Sequence, residues 1–377
     1  MPSFLTAVSL SLSLLSFLGS APLVSAGSSC VAFDINWNLL VFGLGGADYN
    51  AGTKDTWSSG SASEITADNR PPFDGDNVTC YLSQFYNAIY VLGADKSDAS
   101  SVYIYDASAK SWSKQAVDAG SLDTSNFDAI LDHDTNVFYA VSNAEFFSLD
   151  MSSLNAASSD KLAWNDVQST GFDSSYKPVM ALAQNHIHFL DVPDVDEGSA
   201  KIFVIHFSFM QPDAQSYGSF PKAHGQAGSI FLDAGVQEEF FFIPDDGSAT
   251  YVINVESNST KTMAGPPTVD TSAFYFASPD SIVQISSAGD VAYLPYDNSS
   301  DGSSASWATV QSLASFKPSS SASSGASGTG SATETATGGA ASASGSSTDG
   351  NGASGRMAGA GSAAAALVVL ALSALML

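Results

Sequence analysis

Asn87-Ala-Ile-Tyr-Val-Leu-Gly93 is a short apolar run entered from an asparagine and left through a glycine. Asn38-Leu-Leu-Val-Phe-Gly43, Asn136-Val-Phe-Tyr-Ala-Val141 and Asn185-His-Ile-His-Phe-Leu190 repeat the pattern, so that the four asparagines stand 49 residues apart. Two looser copies, Glu238-Glu-Phe-Phe-Phe-Ile243 and Asp280-Ser-Ile-Val-Gln-Ile285, follow after steps of 53 and 42. A sustained period of this length marks a repeat architecture.

Each copy is preceded by a second apolar run: Cys30-Val-Ala-Phe33, Cys80-Tyr-Leu82, Phe127-Asp-Ala-Ile-Leu131, Val179-Met-Ala-Leu182, Ser229-Ile-Phe-Leu232 and Ala273-Phe-Tyr-Phe276. The Asn, Asp and Gly between the runs tolerate the positive φ of a tight turn, which makes each pair a hairpin. A third strand recurs downstream, as in Val102-Tyr-Ile-Tyr-Asp106, Glu145-Phe-Phe-Ser-Leu-Asp150, Lys201-Ile-Phe-Val-Ile-His206, Thr250-Tyr-Val-Ile-Asn-Val255 and Val291-Ala-Tyr-Leu-Pro-Tyr296. Trp112, Trp164 and Trp307 open a fourth, more polar strand. No stretch of this region has helical periodicity. The expected fold is all-β: a β-propeller of six four-stranded blades over 27–316, with seven blades as the alternative. Blades are covered on both faces, which accounts for second strands that are continuously apolar rather than alternating.

The run Tyr90-Val-Leu-Gly-Ala94, Val102–Asp106 and Trp112 resembles a kelch blade, of the type also found in galactose-oxidase-like propellers. Gly45-Gly46 supplies that family's glycine pair in the first repeat, and Gly93-Ala94 approximates it in the second. The resemblance implies a propeller head. Its copper enzymes use tyrosines and histidines, with one tyrosine cross-linked to a cysteine. Here no matching pair of histidines stands late in the chain, and both cysteines are expected to pair with each other.

The ends read as processing signals. Residues 3–18 are apolar and uncharged, followed by Pro22 and the small-residue site Val24-Ser-Ala26, so 1–26 is expected to be a cleaved signal peptide. Residues 317–353 are a Ser/Ala/Gly/Thr tract with too little apolar surface to offset its ordering entropy, hence a disordered stalk. Residues 354–377 combine a small polar spacer with an apolar tail, the order of a glycosylphosphatidylinositol signal. Asn351 is the preferred attachment residue. The expected location is the extracellular face of the plasma membrane or the cell wall, as in fungal-type surface proteins, with the membrane reached only through the lipid anchor.

The chain of 377 residues has 38 acidic and 12 basic side chains, a net charge of -26. Such a deficit of cations excludes nucleic acid as a partner. Setting aside Glu334, Asp349 and Arg356 leaves 36 acids and 11 bases, or -25, on the head. A protein partner that binds electrostatically is therefore expected to be basic, and its contact to weaken with salt.

Cys30 and Cys80 fall on the first strands of adjacent repeats, and an even count in an oxidising compartment predicts a Cys30–Cys80 disulfide. Asn77-Val-Thr79, Asn258-Ser-Thr260 and Asn298-Ser-Ser300 are acceptor sequons for N-glycosylation at Asn77, Asn258 and Asn298. His186-x-His188 places two imidazoles on one strand face with His206 on the following strand, but His188 aligns with Tyr90 and Tyr139, which predicts a packing role between blades. Asp132-His-Asp134-Thr-Asn136 and Asp191-Val-Pro-Asp194-Val-Asp196-Glu197 lack the spacing of a calcium loop and read as turns. No catalytic residue, metal ligand or cofactor is assigned. The expected function is non-catalytic binding of an extracellular glycan or protein. The alternative is a carbohydrate-active enzyme that uses channel carboxylates as acid and base.

Overall fold

The computed structural model describes residues 28–300 and 302–317. The expected signal peptide, the stalk beyond Lys317, Asn351 and the 354–377 propeptide lie outside the described residues.

Six antiparallel four-stranded sheets follow one another along the chain, each with its strands in sequence order from the centre outward. Blade one is Cys30–Phe33, Leu39–Leu44, Ala47–Asn50 and Ser63–Glu64; blade two is Thr79–Ser83, Ala88–Leu92, Val102–Asp106 and Ser111–Gln115. Blade three is Asp128–Asp132, Val137–Ser142, Glu145–Asp150 and Asn165–Ser169. Blade four is Val179–Ala183, His186–Leu190 and Ser199–Val204, with its outer strand split into Phe209–Met210 and Gln215–Ser216. Gly225–Ser229, Glu239–Pro244, Ala249–Asn254 and Ser259–Ala264 form blade five; Phe274–Ser278, Ser281–Ile285, Val291–Pro295 and Ala308–Thr309 form blade six.

The innermost strand of each blade packs beside that of the next, and blade six packs beside blade one, which closes a ring of six. The seven-blade alternative is set aside. The last described residues seal the seam: Ser312 N donates to Trp57 O (3.2 Å), and Phe316 stacks on Tyr49 with ring centroids 4.3 Å apart.

Alternation along each second strand explains why both faces are apolar. In blade two, Ala88, Tyr90 and Leu92 pack with Phe138 and Ala140 of blade three, whereas Ile89 and Val91 pack with the blade-one core. A strand buried on two sides has no polar face to show. The core is thus a set of wedges between blades.

The repeated asparagines do more than turn the chain. Asn87, Asn136 and Asn185 take left-handed φ values of 48°, 59° and 57°. Asn136 also stitches blades: its Oδ1 accepts from Ser83 Oγ of blade two (2.7 Å), and its Nδ2 donates to Tyr90 Oη and to Ser152 O (both 2.7 Å). Asn87 likewise accepts from Ile35 N of blade one (3.1 Å) and donates to Ser108 Oγ (2.9 Å). In blade one the left-handed residue is Trp37 (φ 56°), and Asn38 instead donates to Asp34 Oδ2 (2.9 Å).

Two expectations are corrected. The first strand of blade five is Gly225-Gln-Ala-Gly-Ser229, so Ser229-Ile-Phe-Leu232 marks the strand's end and the start of a loop. The third strand of blade four stops at Val204, and His206 lies in the single 3-10 turn Ile205–Phe207 rather than on the strand.

Candidate functional site

Because the six inner strands run parallel around the axis, their first residues meet at one end of the channel and their last residues at the other. The two ends differ. At the far end, the loop joining the first two strands of blade five, residues 230–238, lies across the channel. Phe231 is 7% exposed and sits on the rings of Trp37 (6.3 Å), His133 (5.2 Å) and Phe276 (5.6 Å), from blades one, three and six. Blades one, two and four also bind the loop through hydrogen bonds: Trp37 Nε1 to Asp233 Oδ1 (2.6 Å), Gln84 Nε2 to Leu232 O (2.8 Å) and Gln184 N to Gln237 O (2.7 Å). The channel is plugged.

What remains is a cavity of about 930 Å³ that reaches Phe231 and is lined at its mouth by Asn77, Ser125, His224 and Ser272. The small residues of Gly225–Ser229 leave this volume open on the blade-five side, where a Cβ on Gly228 would approach the Phe241 ring to 2.8 Å. Aromatic rings of Phe231, Phe241, Tyr275 and Phe276 line the interior, and hydroxyl and amide groups line the entrance. This division suits a ligand with polar edges and an apolar face.

A carboxyl faces into it. Asp128 is open to the cavity but walled by protein, and this loss of bulk water raises its carboxyl above the ordinary range, against the opposing pull of His224 and Lys177. His224 Nδ1 and Asp245 Oδ2 are 2.7 Å apart at the rim. Of the described residues lining the cavity, the carboxylates are Asp76 and Asp128, and Asp76 pairs with Lys96 (3.0 Å).

Cys30 and Cys80 form the expected disulfide between the inner strands of blades one and two, with Cα atoms 5.8 Å apart. That bond leaves no thiol for a tyrosine–cysteine cross-link. His188 is buried between blades four and five, where its Nε2 meets Tyr217 Oη at 3.0 Å and its ring lies 5.4 Å from Phe240. Burial, followed by the neighbouring His186, pushes its pKa down to about 3. Asp132 accepts from Asp134 N (3.3 Å) and Thr135 Oγ1 (2.5 Å), the geometry of the expected turn. Asn77, Asn258 and Asn298 are all exposed. Among the described residues no three His, Cys, Asp or Glu side chains are grouped to hold a metal.

Sequence reading missed Phe231 and Asp128. The longer step into blade five, 53 residues instead of 49, was the visible trace of the plug.

No protein-family model matches the chain, and no curated protein matches its sequence. Among solved structures, selenomethionine-substituted virginiamycin B lyase from Staphylococcus aureus is similar at 9% identity and a TM-score of 0.39, over 70% of this chain and 78% of that one. A chain of the nidogen/laminin complex is similar at 8% identity and a TM-score of 0.40, over 63% and 79%.

Proposed function

We propose that this protein is an extracellular binding propeller that holds a saccharide end in its blind axial cavity. The single-ended shape, polar at the mouth and aromatic inside, carries the reading. Sugars offer hydroxyl edges to hydrogen-bonding groups and C–H faces to rings, and a pocket closed on one side selects a chain end. A disulfide and three exposed sequons support a secreted head. On the same proposal Asn77, Asn258 and Asn298 carry N-glycans, 1–26 is removed, and the head stands on a 317–353 stalk lipid-anchored at Asn351. The kelch-type relationship belongs to the proposal too, resting on Gly45-Gly46, Tyr90 and Trp112.

The test is a glycan array probed with the soluble head, residues 27–318, and with Ser272→Trp, which fills the mouth from an exposed position. Saccharide binding by the parent, reduced at least about tenfold in the variant, a difference of ~1.4 kcal/mol, is expected. Equal binding by both would refute the cavity as the site.

A second reading, glycoside hydrolysis, is favoured by one observation: a carboxyl, Asp128, lines the cavity, and burial shifts it upward, the direction a general acid requires. Turnover of the bound saccharide that disappears in Asp128→Asn would establish it. Binding without turnover retains the first.

A further inference from the structure

Of the seven large apolar side chains exposed among the described residues, Ile35, Phe85, Tyr86, Phe207, Phe209 and Val236 lie at the plugged end, and only Val269 lies on the mouth side. Six of seven on one face is a bias that solvent alone does not produce. Phe85 is 71% exposed at the tip of the first hairpin of blade two. Hydrogen bonds draw the central four together: Ile35 N bonds to Asn87, beside Tyr86, and Gln84, beside Phe85, bonds to the loop that carries Val236.

Carboxylates interleave with this patch. Asp233 is exposed between Leu232 and Val236, with Trp37 Nε1 on its Oδ1. Glu238 and Glu256 flank the same loop and face each other; burial, then the Glu256 charge, raises the Glu238 carboxyl. None of the ion pairs formed by the described residues involves Asp233, Glu238 or Glu256. A cation supplied from outside relieves the repulsion that raises the Glu238 carboxyl.

We propose that the plugged face, centred on Phe85, Ile35 and Val236 and flanked by Asp233 and the Glu238–Glu256 pair, is a docking surface for a basic, amphipathic protein segment. Apolar residues of the segment cover Phe85 and Val236, and its Lys or Arg side chains meet the carboxylates. Charge decides between occupants. A second copy brings a head of net charge -25 against another, and an anionic lipid surface repels the same carboxylates.

The test uses the soluble head and a short amphipathic Leu/Lys peptide, with a Leu/Glu peptide of the same pattern as control. Titration is expected to show the Leu/Lys peptide alone binding, with affinity falling as salt rises. Phe85→Ser with Ile35→Ser is expected to weaken it at least about tenfold, as is Glu238→Gln with Glu256→Gln, each roughly 1.4 kcal/mol. Asp173→Asn, an exposed acid on the mouth side, leaves it unchanged. The substituted residues are exposed or half-buried, and unaltered melting curves confirm that each variant folds. Binding that survives both double variants overturns the proposal. So does binding to phosphatidylserine vesicles in place of the peptide, or a concentration-dependent dimer abolished by the Phe85 change. Ser272→Trp separates this site from the cavity, because it should alter saccharide binding and leave the peptide untouched.

Discussion

Phe231 lies flat against Phe276, their ring centroids 5.6 Å apart and their planes 10° from parallel. One ring comes from the loop of blade five and the other from the inner strand of blade six, so the contact turns a through-channel into a pocket with a floor. Phe231→Ala should remove that floor. Because the ring is buried among three others, truncation is expected to cost about 3 kcal/mol, read as a lower urea midpoint with an unchanged slope. An unaltered midpoint would mean that the loop does not hold the channel shut.

Asn136 and Asn185 occupy the same repeat position but are held differently. Asn136→Ala strips the Ser83 hydroxyl of its acceptor and Tyr90 of a donor in a buried seam, for an expected loss of about 2–3 kcal/mol. Asn185 Oδ1 has no partner, so Asn185→Ala should cost less than half as much in the same denaturation experiment.

The disulfide closes a loop with a sequence separation of 50. Replacing both Cys30 and Cys80 by serine is expected to lower stability by roughly 4 kcal/mol through the freed chain entropy of the unfolded state. Calorimetry of the double variant, or of the parent with reductant, checks it.

Stability should also fall with acid through His188. The fold keeps this imidazole neutral, with its pKa down at about 3, whereas in the unfolded chain it takes a proton near pH 6.5. Between these values the unfolded state binds more protons, so stability is present above pH ~6.5 and is lost as pH falls, at up to ~1.4 kcal/mol per unit. Urea midpoints measured from pH 7 to 4 should drop more steeply for the parent than for His188→Phe. Parallel curves would remove His188 from the account.

The ring was legible in the sequence because the blade's solution to burial is local. An Asn that accepts positive φ, followed by residues covered on both faces, leaves the same trace at Asn87, Asn136 and Asn185. Beyond the lengthened step into blade five, the plug was hard to read for a related reason: Ile230, Phe231 and Leu232 are apolar because they enter the axis, and an apolar run does not say whether it is a strand or a stopper. The real inner strand beside them, Gly225–Ser229, is small and polar because it borders empty space. Asp128 sits within the apolar run Phe127–Leu131, where nothing local marks it as a cavity group. Its character comes from the other inner strands, which no local pattern reports.

The reading of the cavity as a saccharide site is tested most directly by a crystal structure of the soluble head with the saccharide selected on the array. The prediction is density for a chain end inside the cavity, its polar edge near Asp128 and its innermost ring against Phe231. Density confined to the outer surface, with the cavity holding only solvent, would contradict it.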